Sequence, residues 1–429
     1  MKVLVIGSGG REHALCWKLR QSPLLDDLYC APGNPGIAEV ADCVPIAPDE
    51  IHKLADFAAD LHIDLTVVGP ELPLTLGIAD EFAQRGLAIF GPRQQAAELE
   101  GSKVFAKRFM EHHNIPTADF RIADSREDAH TAAHALAATY GWPVVLKADG
   151  LAAGKGVLIS DDEAELEAHL DVFYGERRFG TAGARLVVER FLPGEEVSFI
   201  ALCDGHRLLP LATSKDYKRL LDGDRGPNTG GMGAHSPGGV LPSGAGKIVL
   251  ETILQPTVRG LAEEGRPFVG VLYAGLMLTD DGPQVLEYNV RFGDPEAQAL
   301  LTRMDGDLLP LLKSGAAGRF EGQPRFRKEA AACLVLASAG YPDKTVRRGL
   351  PIHGIEAARQ HAGVEVFHAG TADKDGALVN AGGRVLNVCA TGPTLLDALR
   401  SAYAAAAEIQ WEGRQLRGDI GRRLLQGSG

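Results

Sequence analysis

The sequence contains one stretch that combines a strand pattern with regularly spaced polar residues: Val285-Leu286-Glu287-Tyr288-Asn289-Val290-Arg291-Phe292-Gly293-Asp294-Pro295-Glu296. Side chains two positions apart on a strand share a face, so the oxygens of Glu287 and Asn289 converge on one point. Mg²⁺ prefers such hard oxygen ligands. Arg291 continues this face, and its fork of donors suits a carboxylate or a phosphate. Three polar groups on one face are unusual for a simple core strand, so the stretch predicts a metal site beside an anion site.

The residues before this stretch predict further strands. Residues 272–278 and 284–288 form an expected strand pair, and residues 144–147 form another short apolar strand that ends in Lys147. A lysine on a buried strand needs an anionic partner to offset the cost of desolvation, and the phosphates of ATP would serve. For Lys103 two interpretations stay open, which are a phosphate contact and a solvated residue in the first turn of a helix.

A glycine-rich loop follows Lys147, with the sequence Asp149-Gly150-Leu151-Ala152-Ala153-Gly154-Lys155-Gly156. Glycine allows the backbone to approach phosphate oxygens and lets a loop move as a lid. The loop is not a Walker loop, because its spacing is one residue too short and Gly156 stands where Ser or Thr is required. A hairpin turn without a ligand is the alternative.

An extended connection joins residues 185–189 and 196–202, which are predicted to be neighbouring strands. Its backbone can present N–H and C=O groups to an adenine edge, and a carboxylate further along can bind ribose hydroxyls. An ordinary hairpin with surface charges is the alternative. Residues 222–239 are dense in Gly, Pro and Asn and lack periodicity, which predicts a functional loop and no core element.

The amino-terminal region alternates short apolar runs with helical patterns, which predicts an open parallel sheet with helices on both faces. The expected strands are residues 2–6, 28–31, 65–68 and 87–90, and one helix over about 93–113 follows. Gly7-Ser8-Gly9-Gly10 lies between the first strand and a helix, where free N–H groups suit a phosphate. Asn34-Pro35-Gly36 follows the second strand and belongs to the same rim of the sheet.

This glycine-rich turn does not match a dinucleotide-binding motif. Glu12 replaces the third glycine, and the second strand ends in Tyr29-Cys30-Ala31 with no acidic residue for a ribose hydroxyl. A site for a smaller phosphate or a sugar phosphate is the favoured interpretation, and a purely structural turn is the alternative.

The end of the chain predicts a compact β-rich region. Residues 315–328 are polar and glycine-rich, as expected for a domain boundary, and strands are expected at 331–337, 364–368 and 384–390. The apolar spacing over residues 395–409 predicts a closing helix.

Composition restricts the partners and the compartment. The chain has 429 residues and a net charge of −12, which disfavours binding to nucleic acid or to an anionic membrane. No apolar run approaches the roughly 20 residues that span a bilayer, and the first residues lack the pattern of a signal peptide. The six cysteines show no CxxC spacing, so buried reduced thiols and a cytoplasmic location are expected.

With these residues in view, the chain resembles the phosphoribosylamine–glycine ligase (glycinamide ribonucleotide synthetase) family of the ATP-grasp superfamily, over essentially its whole length. The resemblance rests on Arg291-Phe292-Gly293-Asp294-Pro295-Glu296-Ala297-Gln298, Gly226-Pro227-Asn228-Thr229-Gly230-Gly231-Met232-Gly233 and Gly9-Gly10-Arg11-Glu12-His13-Ala14. It implies an α/β protein with an α+β ATP-grasp region. The implied domains are an amino-terminal α/β substrate-binding domain (1–102), an ATP-grasp domain (103–328, with a mobile lid at about 119–190) and a small β-rich domain (329–429).

The resemblance also implies roles for individual residues. Glu287 and Asn289 would bind Mg²⁺ or Mn²⁺. ATP would be bound by Lys103, Lys147, Gly154, Lys155, Gly156, Glu189, Phe191, Leu192 and Glu196. The catalytic residues next to glycine and the amine would be Asp216, Arg291 and Asp294, and the phosphoribosyl group would be bound by Gly9, Gly10, Asn34 and Gly36. The chain departs from the expected family pattern at Lys215, usually Gln, and at His235, usually Tyr.

The implied reaction is the ATP-dependent ligation of glycine to 5-phosphoribosylamine through glycyl phosphate, a step of purine biosynthesis. Its partners would be these small molecules, with no nucleic acid or membrane, and the protein would be a monomer with transient contact to the preceding enzyme. Phosphoryl transfer needs positioning and charge neutralisation, which fits the absence of an evident nucleophilic triad in the sequence.

Three other functions were weighed against this one. They are another ATP-grasp ligase of purine metabolism that uses formate or bicarbonate, an NAD-linked oxidoreductase, and an inactive nucleotide-binding module. Glu12 disfavours the oxidoreductase, and the intact set of Lys147, Glu287, Asn289 and Arg291 disfavours the inactive module.

Overall fold

The first strands of the chain build an open sheet, sheet A, in which neighbouring strands are parallel. The computed structural model describes residues 1–151, 156–238, 244–343 and 345–422. The strands of sheet A are β1 (Lys2–Gly7), β2 (Asp27–Pro32), β3 (Asp42–Cys43), β4 (Leu65–Val68) and β5 (Ile89–Phe90). They lie in the order β3-β2-β1-β4-β5, which confirms the predicted open parallel sheet. The sequence did not predict β3, because two residues give no periodic signal.

Helices cover both faces of sheet A. They are α1 (Gly10–Leu19), α2 (Ile51–Asp60), α3 (Glu71–Thr75) and α4 (Ile78–Gln84). Along β1, Val3 and Val5 belong to one hydrophobic cluster, and Leu4 and Ile6 belong to another. Successive residues of a strand face opposite sides, so β1 is buried on both. Each such side chain contributes roughly 1.5–3 kcal/mol of transfer free energy on burial.

Two helices follow sheet A, so the prediction of one helix over about 93–113 was wrong. They are α5 (Gln94–Gly101) and α6 (Lys103–His112). Ser102 between them has an extended backbone, and its Oγ accepts a hydrogen bond from the N–H of Phe105 at 3.0 Å. The same hydroxyl donates to Asp149 at 2.8 Å. A serine cap directly after a glycine favours a new helix start, which places Lys103 in the first turn of α6.

A second, antiparallel sheet, sheet B, follows with a layer of helices on one face. Its elements are β6 (Phe120–Ala123), α7 (Arg126–Tyr140), β7 (Val144–Ala148), β8 (Val157–Ser160), α8 (Glu163–Leu170) and β9 (Leu186–Arg190). The strand order is β6-β9-β7-β8. Val144, Leu146 and Val188 pack in one cluster with Leu136 of α7 and Leu166 of α8. By strand alternation, Val145, Lys147 and Glu189 lie on the opposite face.

The chain then leaves sheet B for a third sheet. The next elements are β10 (Glu195–Asp204), β11 (Leu208–Pro210), β12 (Lys215–Asp216), β13 (Arg219–Leu221), β14 (Arg225–Asn228), β15 (Gly233–Ser236), α9 (Ala245–Val249), α10 (Gln255–Glu263), β16 (Val269–Thr279) and β17 (Gly282–Asn289). Sheet C has the antiparallel order β11-β10-β16-β17, which confirms the predicted pair 272–278 and 284–288. The predicted pairing of residues 185–189 with 196–202 was wrong. β10 pairs with β11 and β16, because the connection through Pro193 and Gly194 crosses from sheet B to sheet C.

The last part of the chain is β-rich, as predicted. It contains α11 (Glu296–Arg303), α12 (Leu309–Ala316), β18 (Ala330–Ala337), α13 (Ile355–Arg359), β19 (Val364–His368), β20 (Thr371–Lys374), β21 (Ala377–Asn380), β22 (Arg384–Gly392) and α14 (Leu395–Glu408). Sheet D has the order β12-β15-β18-β22-β19. The prediction that residues 222–239 hold no core element was therefore wrong, because β15 is a buried strand of sheet D. Across the described ranges, every helix is too short or too polar to cross a bilayer.

Candidate active site

A cavity of about 700 Å³ lies between the inner face of sheet B and the edge of sheet C. Lys147 and Glu189 line it from sheet B, and Glu287 and Asn289 line it from sheet C. The structure brings together twelve of the residues predicted from the sequence in this lining: Lys103, Lys147, Gly156, Glu189, Phe191, Leu192, Glu196, Asp216, Glu287, Asn289, Arg291 and Asp294. Gly154 and Lys155, which were predicted to belong to the same site, lie outside the described residues.

One wall of the cavity holds a buried carboxylate between two lysines. Glu189 Oε1 lies 3.1 Å from Nζ of Lys107, and its Oε2 lies 2.9 Å from Nζ of Lys147. Lys147 also donates to the carbonyl oxygen of Leu286 at 2.9 Å, which ties sheet B to sheet C. Burial lowers the pKa of Lys107 to about 8, although Glu189 favours its charged form. Through its two ion pairs, the carboxylate of Glu189 positions both lysines. Lys107 was not predicted from the sequence, because it lies within the amphipathic helix α6.

Glu287 lies among positive charges on the facing wall. Lys218 Nζ is 3.2 Å from Glu287 Oε1 and 3.3 Å from Glu196 Oε2. Burial would raise the pKa of Glu287, but Lys218, Lys103 and Lys147 outweigh it and hold the pKa at about 2. A permanently ionised carboxylate with the amide of Asn289 two residues along the strand fits a hard divalent cation. Lys218 was missed because the glycine-rich stretch around it gave no periodic signal.

Arg291 lines the cavity but is already paired with two carboxylates. Its Nη2 is 2.7 Å from Glu100 Oε1, and its Nε is 3.2 Å from Glu71 Oε2. Burial raises the pKa of Glu100 to about 7 against the effect of Arg291, whereas Arg291 and Arg11 overcome burial and hold the pKa of Glu71 at about 2. The sequence predicted that the guanidinium of Arg291 would be free to bind an anion, but part of it is occupied by these two carboxylates. The ion pairs join α3 and α5 to the end of β17.

The two predicted acidic residues at the far end of the cavity differ in their surroundings. Asp294 is 2.6 Å from Nη2 of Arg384, a residue of β22, and it accepts a hydrogen bond from Gln298 at 2.7 Å. Burial acts to raise the pKa of Asp294, but Arg384, Arg11, the hydrogen bond from Gln298 and Arg291 together lower it below the usual value. The side chain of Asp216 has one buried oxygen that lacks a hydrogen-bond partner among the described residues, and burial together with Glu296 raises the pKa of Asp216 well above the usual value. Arg384 was missed because it lies far away in the sequence.

The predicted phosphoribosyl residues lie at the carboxyl edge of sheet A, outside the cavity lining. Both functional atoms of the Asn34 side chain are used within the protein. Its Nδ2 donates to the carbonyl oxygens of Ser8 at 2.8 Å and His368 at 2.9 Å, and its Oδ1 accepts from the N–H groups of Gly36 and Ile37. A side-chain contact from Asn34 to a ligand would break these bonds.

The glycine turn after β1 is packed in the same way. The N–H of Gly9 donates to Glu12 at 2.6 Å, so the carboxylate of Glu12 occupies the position that suits an anion at the start of α1. A Cβ added to Gly10 would lie 2.1 Å from Nδ2 of Asn387, and one added to Gly9 would lie 3.9 Å from Asp294 Oδ2. These glycines therefore allow close packing of α1 against sheet D at the border of the cavity.

The two departures from the expected family pattern face each other across one strand pair. Lys215 of β12 lies directly opposite His235 of β15. Lys215 lines the cavity, whereas His235 is buried with its Nδ1 2.9 Å from the carbonyl oxygen of Pro237. Burial lowers the pKa of His235 to about 4, so the ring is neutral at physiological pH.

Comparisons with known proteins match the chain along nearly its whole length. Residues 1–100 match the N domain of phosphoribosylglycinamide synthetase, residues 101–297 its ATP-grasp (A) domain, and residues 331–423 its C domain. A phosphoribosylamine–glycine ligase of Rhizobium meliloti is 50% identical over 426 residues, which cover 99% of each chain. One of Brucella melitensis is 49% identical over 427 residues, again with 99% of each chain covered.

Solved structures agree with these matches. The crystal structure of phosphoribosylamine–glycine ligase from Thermotoga maritima has a TM-score of 0.83 at 37% identity and covers 98% of this chain and 100% of that chain. The biotin carboxylase domain of Hydrogenobacter thermophilus 2-oxoglutarate carboxylase, solved with MgADP, has a TM-score of 0.72 at 17% identity. It covers 97% of this chain and 91% of that chain and indicates the shared ATP-grasp fold alone. The family predicted from the motifs is therefore confirmed, and the chain belongs to the phosphoribosylglycinamide synthetase family.

Proposed function

We propose that the chain joins glycine to 5-phosphoribosylamine and cleaves ATP to ADP and phosphate, giving glycinamide ribonucleotide for purine biosynthesis. The observation that supports this most directly is 50% identity, over 99% of both chains, to a ligase named for this reaction. The cavity supports the use of ATP in this reaction, because Lys103, Lys147 and the ionised carboxylate of Glu287 all line it.

In the first step, the glycine carboxylate attacks the γ-phosphorus of ATP, and the bond to the ADP oxygen breaks. The product is glycyl phosphate. We assign Lys103 and Lys147 to the phosphates, where their charge offsets the charge that develops on the transferred group. Glu189 keeps Lys147 in place through its 2.9 Å ion pair. Phe191 and Leu192 would contact adenine, and Glu196 would bind ribose hydroxyls.

In the second step, the amine nitrogen of phosphoribosylamine attacks the acyl carbon, loses a proton and displaces phosphate. The side chain of Asp216 has a raised pKa and one buried oxygen without a hydrogen-bond partner among the described residues, which suits a group that receives a hydrogen bond or proton from the amine. Asp294 and Arg291 would hold the substrates next to it. Gly9, Gly10, Asn34 and Gly36 stay the proposed site for the phosphoribosyl group.

Glu287 and Asn289 are the residues that would hold the divalent cation, with Mg²⁺ as the proposed ion and Mn²⁺ as a substitute. Such a cation supplies charge neutralisation for the phosphate oxygens of ATP. Gly156, together with Gly154 and Lys155, belongs to the proposed closing loop, which would keep water from the acyl phosphate. Lys218 is the proposed counter-charge that balances Glu287 and Glu196 before ATP binds.

The proposal also covers the domain limits, the oligomeric state and the location of the protein. The domain limits 1–102, 103–328 and 329–429, with a lid at about 119–190, are supported by matches that change near residues 100 and 331. We propose a monomer that contacts the enzyme supplying phosphoribosylamine only transiently. A cytoplasmic location is supported by the need for ATP and by six free cysteines, five of them buried and Cys43 exposed.

A coupled assay of ADP release tests the proposed reaction. ADP release should require glycine and phosphoribosylamine together, and mass spectrometry should identify glycinamide ribonucleotide. The structure of N5-carboxyaminoimidazole ribonucleotide synthetase from Thermotoga maritima also matches this fold, at 17% identity. Release of ADP with bicarbonate or formate in place of glycine would therefore favour another ATP-grasp ligase and contradict the proposal.

A further inference from the structure

A cluster of metal-binding side chains lies outside the cavity, on the helix layer of sheet B. His130 and His134 are one turn apart on α7, and Glu163 is the first residue of α8. His130 Nε2 lies 3.2 Å from His134 Nε2 and 3.2 Å from Glu163 Oε1. His134 Nε2 lies 2.9 Å from Glu163 Oε2. Three residues from two helices thus offer ligand atoms that all lie within 4.8 Å of one another.

The spacing of these ligand atoms suits neighbouring positions of a tetrahedral metal site. Zn²⁺ binds imidazole nitrogen and carboxylate oxygen at about 2.0–2.2 Å, so neighbouring ligand atoms in a tetrahedron lie roughly 3.3 Å apart. The 3.2 Å between the two imidazole nitrogens, and the 3.2 and 2.9 Å from these nitrogens to the two different oxygens of Glu163, lie close to that spacing. We propose that His130, His134 and Glu163 form a binding site for a divalent transition metal ion, with Zn²⁺ as the favoured ion. Imidazole ligands favour Zn²⁺, Ni²⁺ or Cu²⁺ over Mg²⁺.

Glu167 is a candidate fourth ligand, and Arg126 holds its carboxylate in place. Glu167 Oε1 lies 3.3 Å from His130 Nε2. The other oxygen of Glu167 is held by Arg126 Nη2 at 2.8 Å, which fixes the carboxylate beside the cluster. The four ligand side chains are between 39% and 49% exposed, so the ion has access from solvent. Glu167 or a water molecule therefore completes the tetrahedron.

The site would act on structure and not on the reaction. Helices α7 and α8 pack on Val144, Leu146 and Val188, whereas Lys147 and Glu189 line the cavity from the opposite face of sheet B. An ion bound by two residues of α7 and one of α8 would crosslink these helices. It would stabilise this layer without entering the cavity, and the thermal stability of the protein would rise with the logarithm of the free Zn²⁺ concentration once that concentration exceeds the dissociation constant.

Calorimetric titration of the full chain with Zn²⁺ tests the site. A reductant keeps the cysteines reduced, and excess Mg²⁺ saturates the proposed site at Glu287 and Asn289. We expect one equivalent of Zn²⁺ to bind, and His134→Ala and Glu163→Gln should each weaken binding at least about 10-fold. His206→Ala, which removes an exposed histidine elsewhere, is the matched control and should bind as wild type does.

A second measurement uses the tryptophan beside the cluster. The rings of His134 and Trp142 have centroids 6.3 Å apart, so bound Ni²⁺ should quench the fluorescence of Trp142, and Trp142→Phe should remove that quenching. ADP release by His134→Ala should equal that of wild type. Two results would overturn the proposal and show that the cluster is only a hydrogen-bonded surface group. One is that both site variants bind Zn²⁺ as tightly as His206→Ala does, and the other is that neither wild type nor His206→Ala binds Zn²⁺.

Discussion

At the scale of single residues, the site depends on how buried charges are balanced. Glu287 has a pKa of about 2 because Lys218, Lys103 and Lys147 overcome the effect of burial. Its folded-state pKa lies below the usual value of about 4.3. The carboxylate therefore contributes stability that is complete above pH 4.3 and is lost as the pH falls toward 2.

We expect Glu287→Gln to lower kcat at least about 100-fold and to leave the fold intact, because the amide keeps the shape but not the charge that faces the metal. Two measurements check this prediction: steady-state ADP release, and unfolding by urea at several pH values. The loss of stability between pH 4.3 and 2 should be smaller in the variant than in wild type.

Asn289→Asp is the matched control for this substitution, because it keeps a hard oxygen ligand at the neighbouring position of β17. It should retain far more activity than Glu287→Gln when the metal concentration is raised. Turnover of Glu287→Gln at the wild-type rate would contradict the assignment of Glu287 to the metal.

At the scale of elements, the turn between β14 and β15 packs closely against the side chain of Asp216. Gly231 in this turn has a φ of +107°, and a Cβ there would lie 2.4 Å from Pro295 Cδ and 2.7 Å from Asp216 Oδ1. The glycine thus allows three segments to meet: the turn, β12 and the start of α11. The same close packing accompanies the burial of β15 within this glycine-rich stretch.

We expect Gly231→Ala to destabilise the protein by about 3 kcal/mol or more, since it adds overpacking to backbone strain, and to reduce kcat by displacing Asp216. Gly282→Ala is the matched control. Gly282 has a φ of +106° but nothing within 4 Å of an added Cβ, so the control carries the strain alone and should cost about 1 kcal/mol. Urea unfolding and steady-state kinetics check both variants, and equal effects would contradict the packing argument.

At the scale of the whole molecule, buried histidines join the first and last sheets. His13 of α1 accepts a hydrogen bond at its Nδ1 from the backbone N–H of His368, at the end of β19, at 2.8 Å. Burial, helped by His368 and Arg359, lowers the pKa of His13 to about 3. Protonation of Nδ1 would remove the acceptor, so this interface requires a neutral ring.

We expect acid to weaken this interface through His13. Because its folded-state pKa is lowered, its contribution to stability is complete above the unfolded value of about 6.5 and is lost as the pH falls toward 3. His13→Asn keeps an acceptor that cannot be protonated, so at pH 5 the variant should lose up to about 2 kcal/mol less stability than wild type does. Urea unfolding between pH 7 and pH 5 measures this difference.

His112→Asn, which replaces an exposed histidine at the end of α6, is the control and should follow the wild-type pH profile. A His13→Asn profile that parallels wild type would show that His13 does not couple protonation to this interface.

The sequence predicted those parts of the fold that have a local period. Strand β4 was predicted with its observed limits, and the pairing of β16 with β17 followed from two apolar runs joined by a short turn. The helix break at Ser102 and the path of residues 191–194 were not predicted, because each depends on contacts with distant segments. Ser102 is hydrogen-bonded to Asp149, and residues 191–194 lead into β10, which pairs with β16. Lys215 and His235 departed from the family pattern separately in the sequence, but the structure places them opposite each other.

The sequence by itself determined the parallel sheet A, the placement of Glu287 and Asn289 on one strand face and, through its motifs, the family. These follow from side-chain periodicity and from short runs of neighbouring residues. Only the tertiary structure decided how the charges of the site are paired. Lys218 meets Glu287, Glu100 meets Arg291, and Arg384 meets Asp294 across wide separations in sequence. A buried charge must be balanced by whichever opposite charge the fold brings near, and that choice has no local signal in the chain.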